Sequence, residues 1–279
     1  MKVFIFLLMI SLLLRGGRSR HGGNGHGGNG IMKRNEIESS EEEDVKDCEE
    51  IGYCHFNVTG TEEVFSISLF NTQLSFHQLP NSRHIGHGAV VWDAAVIFAK
   101  YIEHSPRDYS SERVAGKRLI ELGSGPGLAG IAMMMRGAKC TLTDLEIVTR
   151  SLTEENANNM YNICKSNLFT SSFELTRPEV MPLDWTVQYP PTESYDYILL
   201  TDCVFSPYLA EPLVSQLLRL SDRKTEVICC HEIRDEEANA TFITEVEKYF
   251  SIKRIAKNKL HPEYRNDLVE VLKCKLKKH

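Results

Sequence analysis

The sequence predicts an α/β fold in which a mostly parallel sheet is covered by helices on both faces. From residue 118 onwards, short apolar segments typical of strands alternate with longer segments of helical periodicity. One of these strands leads directly into the glycine-rich turn Gly123–Gly127, and a helix begins immediately after it. The last two strands follow each other without a helix between them. We therefore expect an antiparallel hairpin at the C-terminal edge of the sheet.

A β-hairpin is predicted before this alternation begins. Apolar residues in segments 64–70 and 74–79 flank the polar residues Asn71-Thr72-Gln73, which we expect to form the turn. A polar loop follows, and segment 90–102 is rich enough in apolar residues to predict a buried helix. The hairpin and this helix together precede the first strand of the main sheet.

The remaining elements follow in regular order along the chain. Strands are predicted at Arg118–Leu122, Lys139–Thr143, Phe173–Leu175 (weakly), Tyr195–Thr201, Glu226–Cys230, Ile252–Lys259 and Leu268–Leu276. Helices are predicted at Leu128–Arg136, Ile147–Cys164, Pro207–Leu220 and Glu236–Phe250. This order places the glycine-rich turn after the first strand of the main sheet.

The first 61 residues differ in composition from the rest of the chain. Residues 1–15 contain an apolar run from Val3 to Leu14, which is too short to span a bilayer and resembles the core of a signal peptide. Residues 16–61 hold two copies of a His-Gly-Gly-Asn-Gly repeat and an acidic run, which predict a disordered tail. One catalytic domain is predicted over residues 62–279.

Charge and cysteine usage limit the classes of function. The net charge of −6 and the absence of a basic stripe argue against nucleic-acid binding. The eight cysteines form no C-x-x-C pair and no His/Cys cluster with metal-ligand spacing, so we predict neither a disulfide scaffold nor a metal site. This usage favours a cytoplasmic protein, and the short apolar run at 3–14 predicts no membrane span. We interpret residues 1–15 as an extended amino terminus of an intracellular enzyme. Entry into the secretory pathway is the alternative if residues 1–20 act as a signal peptide.

The glycine-rich turn predicts a nucleoside-containing cofactor of one of two classes. Asp144 ends the next strand, where a carboxylate can hold ribose hydroxyls. Gly125, Gly127 and Gly130 fit the spacing of a dinucleotide-binding turn, which favours a dehydrogenase. Glu121 argues for the second class, because a carboxylate beside the ligand repels a pyrophosphate but suits the cationic S-adenosylmethionine.

Five motifs in the same order resemble methyltransferase family 16, whose members modify protein lysines. The resemblance covers about residues 62–276. The five motifs are Val91-Trp92-Asp93-Ala94-Ala95, Glu121-Leu122-Gly123-Ser124-Gly125-Pro126-Gly127, Thr143-Asp144-Leu145-Glu146, Leu183-Asp184-Trp185 and Thr201-Asp202-Cys203-Val204-Phe205. The resemblance implies a Rossmann-like seven-strand sheet and S-adenosylmethionine as cofactor. Segments 228–234 and 261–265 are most similar to the members that methylate the valosin-containing AAA ATPase.

The resemblance also implies roles for individual residues. Those expected to contact the cofactor are Trp92, Glu121, Gly123, Ser124, Gly125, Asp144, Trp185 and Thr201. Among them, Asp144 would hold the ribose hydroxyls and Trp185 would lie beside the adenine. Asp202 and Phe205 match the family's Asp-x-x-Tyr/Phe signature and are the expected catalytic residues. Phe205 stands where tyrosine is commoner, so the aromatic wall is kept and a hydroxyl is lost.

The implied reaction is methyl transfer to a lysine of a protein substrate, with a AAA ATPase as the expected target and a monomer as the expected enzyme. Lysine is almost fully protonated at neutral pH, so Asp202 would dock its ammonium and orient the amine once the proton has left. Two alternatives remain open. The same fold could methylate a small molecule or another protein, or it could serve as a non-catalytic partner-binding module.

Overall fold

The computed structural model describes residues 62–105, 107–167, 173–190 and 192–278. The chain divides into two units, Met1–Gly52 and Tyr53–His279, and every described residue belongs to the second. The predicted apolar segment at 1–15 and the predicted tail at 16–61 therefore lie outside the described residues. The boundary at residue 62 stays a prediction.

The described residues form nine strands, seven α-helices and three short helical segments of other types. The strands are β1 (Val64–Leu69), β2 (Thr72–His77), β3 (Arg118–Leu122), β4 (Lys139–Asp144), β5 (Glu179–Pro182), β6 (Tyr197–Thr201), β7 (Glu226–Glu232), β8 (Phe250–Arg254) and β9 (Val269–Leu276). The helices are α1 (Asp93–His104), α2 (Ser111–Val114), α3 (Leu128–Met134), α4 (Glu146–Val148), α5 (Glu154–Asn167), α6 (Pro207–Leu220) and α7 (Glu236–Tyr249). A π-helix occupies Thr149–Thr153, and 3₁₀ turns occupy Gly86–Ala89 and Lys257–Lys259.

The main sheet confirms the predicted fold class. Its strand order is β5-β4-β3-β6-β7-β9-β8, in which β9 pairs antiparallel with both β7 and β8 and all other neighbours are parallel. After β3 the chain continues to β4 and β5 on one side and then returns to β6 on the other. The strand order therefore reverses between β3 and β6, and ligands of open α/β sheets bind beside the carboxyl ends of strands at such a point.

Two apolar cores cover the two faces of the sheet. On one face α1 packs against α3 and β7, and its Phe98 and Tyr101 are fully buried. On the other face α6 packs against α7, and Leu213 and Phe242 lie in that core. The apolar residues from which these helices were predicted are buried in both layers, because they recur at the spacing of one helix face.

The N-terminal hairpin is present, but its turn is one position earlier than predicted. β1 and β2 are joined by Phe70 and Asn71, with φ angles of 49° and 60°, whereas Thr72 already belongs to β2. Two successive residues with positive φ are typical of a tight hairpin turn whose twist matches that of the strands. Asn156 of α5 fixes the hairpin, since its side chain exchanges hydrogen bonds of 2.8 and 2.9 Å with the backbone of His77.

The strand predicted at Phe173–Leu175 is wrong, and the edge strand β5 lies at Glu179–Pro182 instead. The ring of Phe173 lies over Gly137, where an added Cβ would come within 2.7 Å of it, so this aromatic residue packs rather than pairs. The last strands also shift: β8 begins at Phe250 and ends at Arg254, before the predicted Lys259.

Candidate functional site

The turn after β3 requires glycine at several positions. Gly123, Gly125 and Gly127 have φ angles of 66°, 50° and 92°, a region that side chains disfavour. At Gly123 a Cβ would lie 2.9 Å from Cys203 Sγ and 3.0 Å from Trp185 Cζ2. The turn is therefore packed as closely as its backbone permits.

Two neighbouring elements hold this turn in place. The backbone N–H of Ser124 donates to the Thr143 carbonyl at 2.9 Å, and the N–H of Gly125 donates to Asp144 Oδ2 at 2.8 Å. From the π-helix, the Thr153 hydroxyl donates to the Gly125 carbonyl at 2.7 Å. A π-helical turn is unusual and frequently lies at functional sites. Here it brings a hydroxyl group to the glycine turn.

Glu121 lies beneath the turn and is completely buried. Its Oε2 accepts a 2.9 Å hydrogen bond from the backbone N–H of Gly130, in the first turn of α3. Burial raises the pKa of Glu121 to about 8, because the charged form loses its hydration, and the hydrogen bond from Gly130 only partly offsets this. Glu121 supports the start of α3, and its expected contact with a cofactor stays a prediction.

Asp144 ends β4 beside the glycine turn and is partly exposed. Its two carboxylate oxygens accept hydrogen bonds from the backbone N–H groups of Gly125 and Leu145, at 2.8 and 2.7 Å. Desolvation raises the pKa of Asp144 to about 6, against the lowering effect of these two bonds. The carboxylate therefore faces the turn, and its expected contact with ribose hydroxyls stays a prediction.

Trp185 connects the glycine turn with the predicted catalytic segment. Its ring lies against Gly123 on one side and 6.4 Å from the ring of Phe205 on the other, measured between centroids. The Gln216 side chain of α6 donates hydrogen bonds to the carbonyls of Trp185 and Val187, at 3.2 and 3.0 Å. These bonds fix the loop that carries the indole. Thr201 is buried at the end of β6 and directly precedes Asp202 in the sequence.

Asp202 adopts a left-handed backbone conformation with φ of 55° directly after β6. Its Oδ1 accepts a 2.9 Å hydrogen bond from the N–H of Glu232, and its Oδ2 lies 3.4 Å from the N–H of Ala94 in the first turn of α1. Desolvation raises the pKa of Asp202, while the neighbouring Arg234 lowers it. Backbone strain of this kind costs about 1–3 kcal/mol and clusters at functional sites.

Phe205 belongs to an aromatic cluster at the same edge of the sheet. Its ring is 38% exposed and lies 5.3 Å from the imidazole of His87, which in turn lies 6.0 Å from the ring of Trp92. The indole N–H of Trp92 donates to the His87 carbonyl at 2.8 Å. Partial burial and the charge of Arg234 lower the pKa of His87. Phe205, His87 and Trp92 therefore form an aromatic cluster at the edge of the sheet where Asp202 follows β6.

The structure thus places most of the expected residues in two adjoining groups with Trp185 between them. The glycine-turn group holds Glu121, Gly123, Ser124, Gly125 and Asp144, and the aromatic–carboxylate group holds Trp92, Asp202 and Phe205. Thr201, the remaining expected residue, ends β6 directly before Asp202.

Sequence reasoning missed three contributors to these groups: His87, Thr153 and Arg234. Arg234 lies within a segment that carried the family resemblance, but no spacing rule assigned it a contact. The motif after β7 was the one signal that could have pointed to it.

Neither a metal-binding cluster nor a membrane-spanning helix is present among the described residues. Within this part of the chain no group of three or more His, Cys, Asp or Glu side chains is arranged to hold a metal ion. None of its helices combines the length and the apolar character needed to cross a bilayer.

A family model described as lysine methyltransferase matches residues 71–249, which is more than half of the chain. The chain belongs to the lysine methyltransferase family. This lysine methyltransferase is 34% identical over 173 residues to protein N-lysine methyltransferase METTL21A of Danio rerio, covering 62% of this chain and 73% of the relative. It is 29% identical over 180 residues to EEF1A lysine methyltransferase 3 of Xenopus tropicalis, covering 63% and 72%.

A solved structure confirms the fold of this lysine methyltransferase. The 16S rRNA N2 G1207 methyltransferase of T. Thermophilus, in complex with AdoMet and guanosine, aligns with a TM-score of 0.50 and 13% identity. The match covers 77% of this chain and 50% of that chain. At this identity the likeness concerns the fold alone.

The cofactor of this lysine methyltransferase is S-adenosylmethionine, and the residues present fit it. The hydroxyl of Ser124 is buried without a hydrogen-bond partner among the described residues, so it is available to a polar ligand. Gly123 is half-buried and presents its backbone at a point where a side chain cannot fit. Asp144 supplies a carboxylate at the adjacent strand end, and Trp185 supplies an aromatic surface beside Gly123. This set of groups suits a nucleoside attached to an amino acid.

Proposed function

We propose that this protein transfers the methyl group of S-adenosylmethionine to the Nζ atom of a lysine in a protein substrate. One observation carries the proposal: the glycine turn and the Asp202–Phe205 segment lie side by side at the point where the strand order reverses, with Trp185 between them. A cofactor held by the turn would bring its reactive end towards that segment. The named relatives, which are protein-lysine methyltransferases, support the substrate class.

The cofactor supplies a methyl group on a sulfonium that a neutral amine can attack. The substrate lysine arrives protonated, since its ordinary pKa is about 10.4, and it must lose a proton first. The Asp202 carboxylate attracts the ammonium and orients the amine, while solvent accepts the proton. Because a carboxylate is a weak base, most of the rate comes from holding amine and methyl in line.

Phe205 forms the exposed wall of the proposed lysine channel. Its ring, 38% exposed, offers a cation–π surface to the ammonium without competing for its proton. His87, held 5.3 Å away, supports the orientation of that ring. We therefore assign Asp202 to docking of the ammonium and Phe205 to alignment of the lysine side chain.

We further propose a AAA ATPase of the valosin-containing type as the protein substrate, a cytoplasmic location and a monomeric enzyme. The similarity of segments 228–234 and 261–265 to methyltransferases of that ATPase supports the target. EEF1A is the second candidate, because the name of one relative gives it as substrate. A small molecule as substrate, or a binding role without catalysis, would contradict the main proposal.

The test is incubation of the full chain with labelled S-adenosylmethionine and, separately, a purified AAA ATPase, EEF1A and a small-molecule cell fraction. Label should enter a lysine of the ATPase, as located by mass spectrometry. Asp202→Asn should lower kcat strongly while keeping the affinity for S-adenosylhomocysteine, and Phe205→Ala should mainly raise KM for the protein. Phe205→Tyr is the matched control that keeps the aromatic wall.

Three outcomes would contradict these assignments. Label in EEF1A alone would contradict the AAA ATPase as target but support protein-lysine methylation. Label in metabolites alone would contradict the proposal of a protein substrate. Cofactor binding without any transfer would leave only a binding module.

A further inference from the structure

Two carboxylates lie side by side where β6 and β7 end. Asp202 and Glu232 are joined by the 2.9 Å hydrogen bond from the Glu232 N–H to Asp202 Oδ1. Their side chains are only 3% and 11% exposed. Two buried negative charges repel each other, so a cation beside them stabilises the ionised pair.

Arg234 now supplies that cation. Its guanidinium lies 2.6 Å from Glu232 Oε2, 3.5 Å from Asp202 Oδ2 and 4.4 Å above the centre of the Trp92 ring. Carboxylates combined with an aromatic face bind an alkylammonium as well as a guanidinium. The Arg234 side chain is 36% exposed, so it approaches the site from the solvent side and can leave it.

The cluster of Asp202, Glu232 and Arg234 has a net negative charge when both acids are ionised, so it can bind one more cation. With both acids ionised, Asp202 and Glu232 carry two negative charges and Arg234 carries one positive charge. The target lysine of the proposed reaction is a cation that must reach Asp202. Two histidines of the described residues lie nearby: His87 against the Trp92 ring, and His231 directly before Glu232 in β7. Burial lowers the pKa of both imidazoles, which favours their uncharged forms, so neither histidine supplies the additional cation.

We propose that Asp202, Glu232 and the Trp92 ring form the cation site for the target lysine, and that Arg234 occupies it until the lysine displaces it. This inference rests on the proposed function. It makes Glu232 a second substrate-binding carboxylate, and it makes Arg234 a specificity-determining residue. A lysine must compete with Arg234, so only substrates that gain further contacts on the protein surface are bound productively.

The kinetic test compares Arg234→Ala and Arg234→Lys with the unchanged full chain on the protein substrate found by labelling. Arg234→Ala should lower KM about three- to tenfold with kcat within about twofold, because an internal competitor of the strength of a partly exposed ion pair is lost. Arg234→Lys should stay near the parent KM. Methylguanidinium should inhibit Arg234→Ala competitively against the substrate and leave the parent enzyme unaffected.

The opposite result would overturn the inference. If Arg234→Ala lowers kcat and methylguanidinium restores it, Arg234 positions Asp202 and does not compete with lysine. A raised KM for Arg234→Ala would also contradict the inference. Glu232→Gln should raise KM, whereas Glu237→Gln, a change at an exposed position on α7, should not.

A binding test separates this inference from the proposed function. The chain has two tryptophans, so the indole ¹⁵N–H signals of Trp92 and Trp185 can be followed by NMR during titration with n-butylammonium chloride. In Arg234→Ala the Trp92 signal should shift with saturation, and Glu232→Gln in that background should weaken binding. Absence of saturable shifts would refute the cation site even if methyl transfer is observed. Saturable shifts without methyl transfer would keep the site and refute the proposed reaction.

Discussion

The hydroxyl of Thr153 donates a 2.7 Å hydrogen bond to the carbonyl of Gly125, which ties the glycine turn to a π-helical segment that follows β4. Thr153 is fully buried. The bond fixes one peptide of the turn from a neighbouring element. The shape of the cofactor-binding turn therefore depends on a residue outside its own sequence motif.

Thr153→Val should weaken binding of S-adenosylhomocysteine about two- to tenfold, because it removes a hydrogen bond worth about 0.5–1.5 kcal/mol. Thr153→Ser is the control, since it keeps the hydroxyl. Calorimetric titration of both variants measures the effect. If the valine and serine variants bound S-adenosylhomocysteine with equal affinity, the hydrogen bond would not shape the turn.

Glu121→Gln should stabilise the protein against unfolding above neutral pH. The folded-state pKa of about 8 exceeds the ordinary 4.5, so wild-type stability falls as pH rises from about 4.5 to about 8. Glutamine has no such charge to desolvate and can still accept from Gly130. The stability difference should be small at pH 4.5 and grow to about 4 kcal/mol at pH 8. Urea unfolding of the wild type and of Glu121→Gln across this pH range tests the prediction. A difference in unfolding free energy that does not change with pH would contradict it.

Asp144 should make cofactor affinity depend on pH. Its pKa of about 6 means that the carboxylate gains a proton as pH falls below 6, and a neutral carboxyl group accepts hydrogen bonds less strongly. The Kd for S-adenosylhomocysteine should rise as pH falls from 7 to 5. Asp144→Asn should bind about 10–100-fold more weakly at pH 7 and lose this dependence. An unchanged pH profile in the asparagine variant would assign the titration to another group.

Gly123→Ala should destabilise the fold by more than the strain of a positive φ alone. Gly116→Ala is a matched control, because Gly116 has φ of 73° with nothing within 4 Å of its added Cβ. Strain of about 1–2 kcal/mol is expected at both positions. At Gly123 the contact with Cys203 Sγ adds to it, so Cys203→Ala should recover part of the loss. Equal losses at Gly116 and Gly123, without recovery, would show that the contact is unstrained.

Much of the fold follows from local patterns in the sequence. The helix Pro207–Leu220 was predicted with the bounds it has, because its leucines recur on one face and a proline opens its first turn. The strand Arg118–Leu122 likewise matches, since a continuous apolar run with a glycine turn after it has few alternatives. The central, parallel part of the sheet was therefore readable from the sequence.

Elements at the margin of the fold were less predictable. β5 pairs only with β4, and its burial is slight, so its four residues carry no apolar pattern and end in Pro182. A proline is tolerated there because one side of an edge strand needs no ladder hydrogen bond. The apolar residues at 173–175 gave a stronger local signal, but Phe173 uses its ring to pack over Gly137.

The site was predictable as far as its motifs extend. Gly125 and Asp144 are joined by a hydrogen bond, and Gly123 lies in the same turn, so residues of two separate motifs meet at one place. The contact of Arg234 with Trp92 could not be predicted, because it joins residues far apart in the chain. His87 lies only five residues before Trp92, but no spacing rule specifies the contact between them.

At position 202 the left-handed backbone favours glycine, whereas the proposed chemistry requires the carboxylate of aspartate. Glycine would adopt this φ without strain, so Asp202→Gly relieves the backbone while it deletes the carboxylate. A descendant of this enzyme that gave up catalysis would gain from that exchange. Glycine or asparagine at this position in a related chain would then mark a former enzyme, and aspartate, held against the preference of the backbone, would mark a working one.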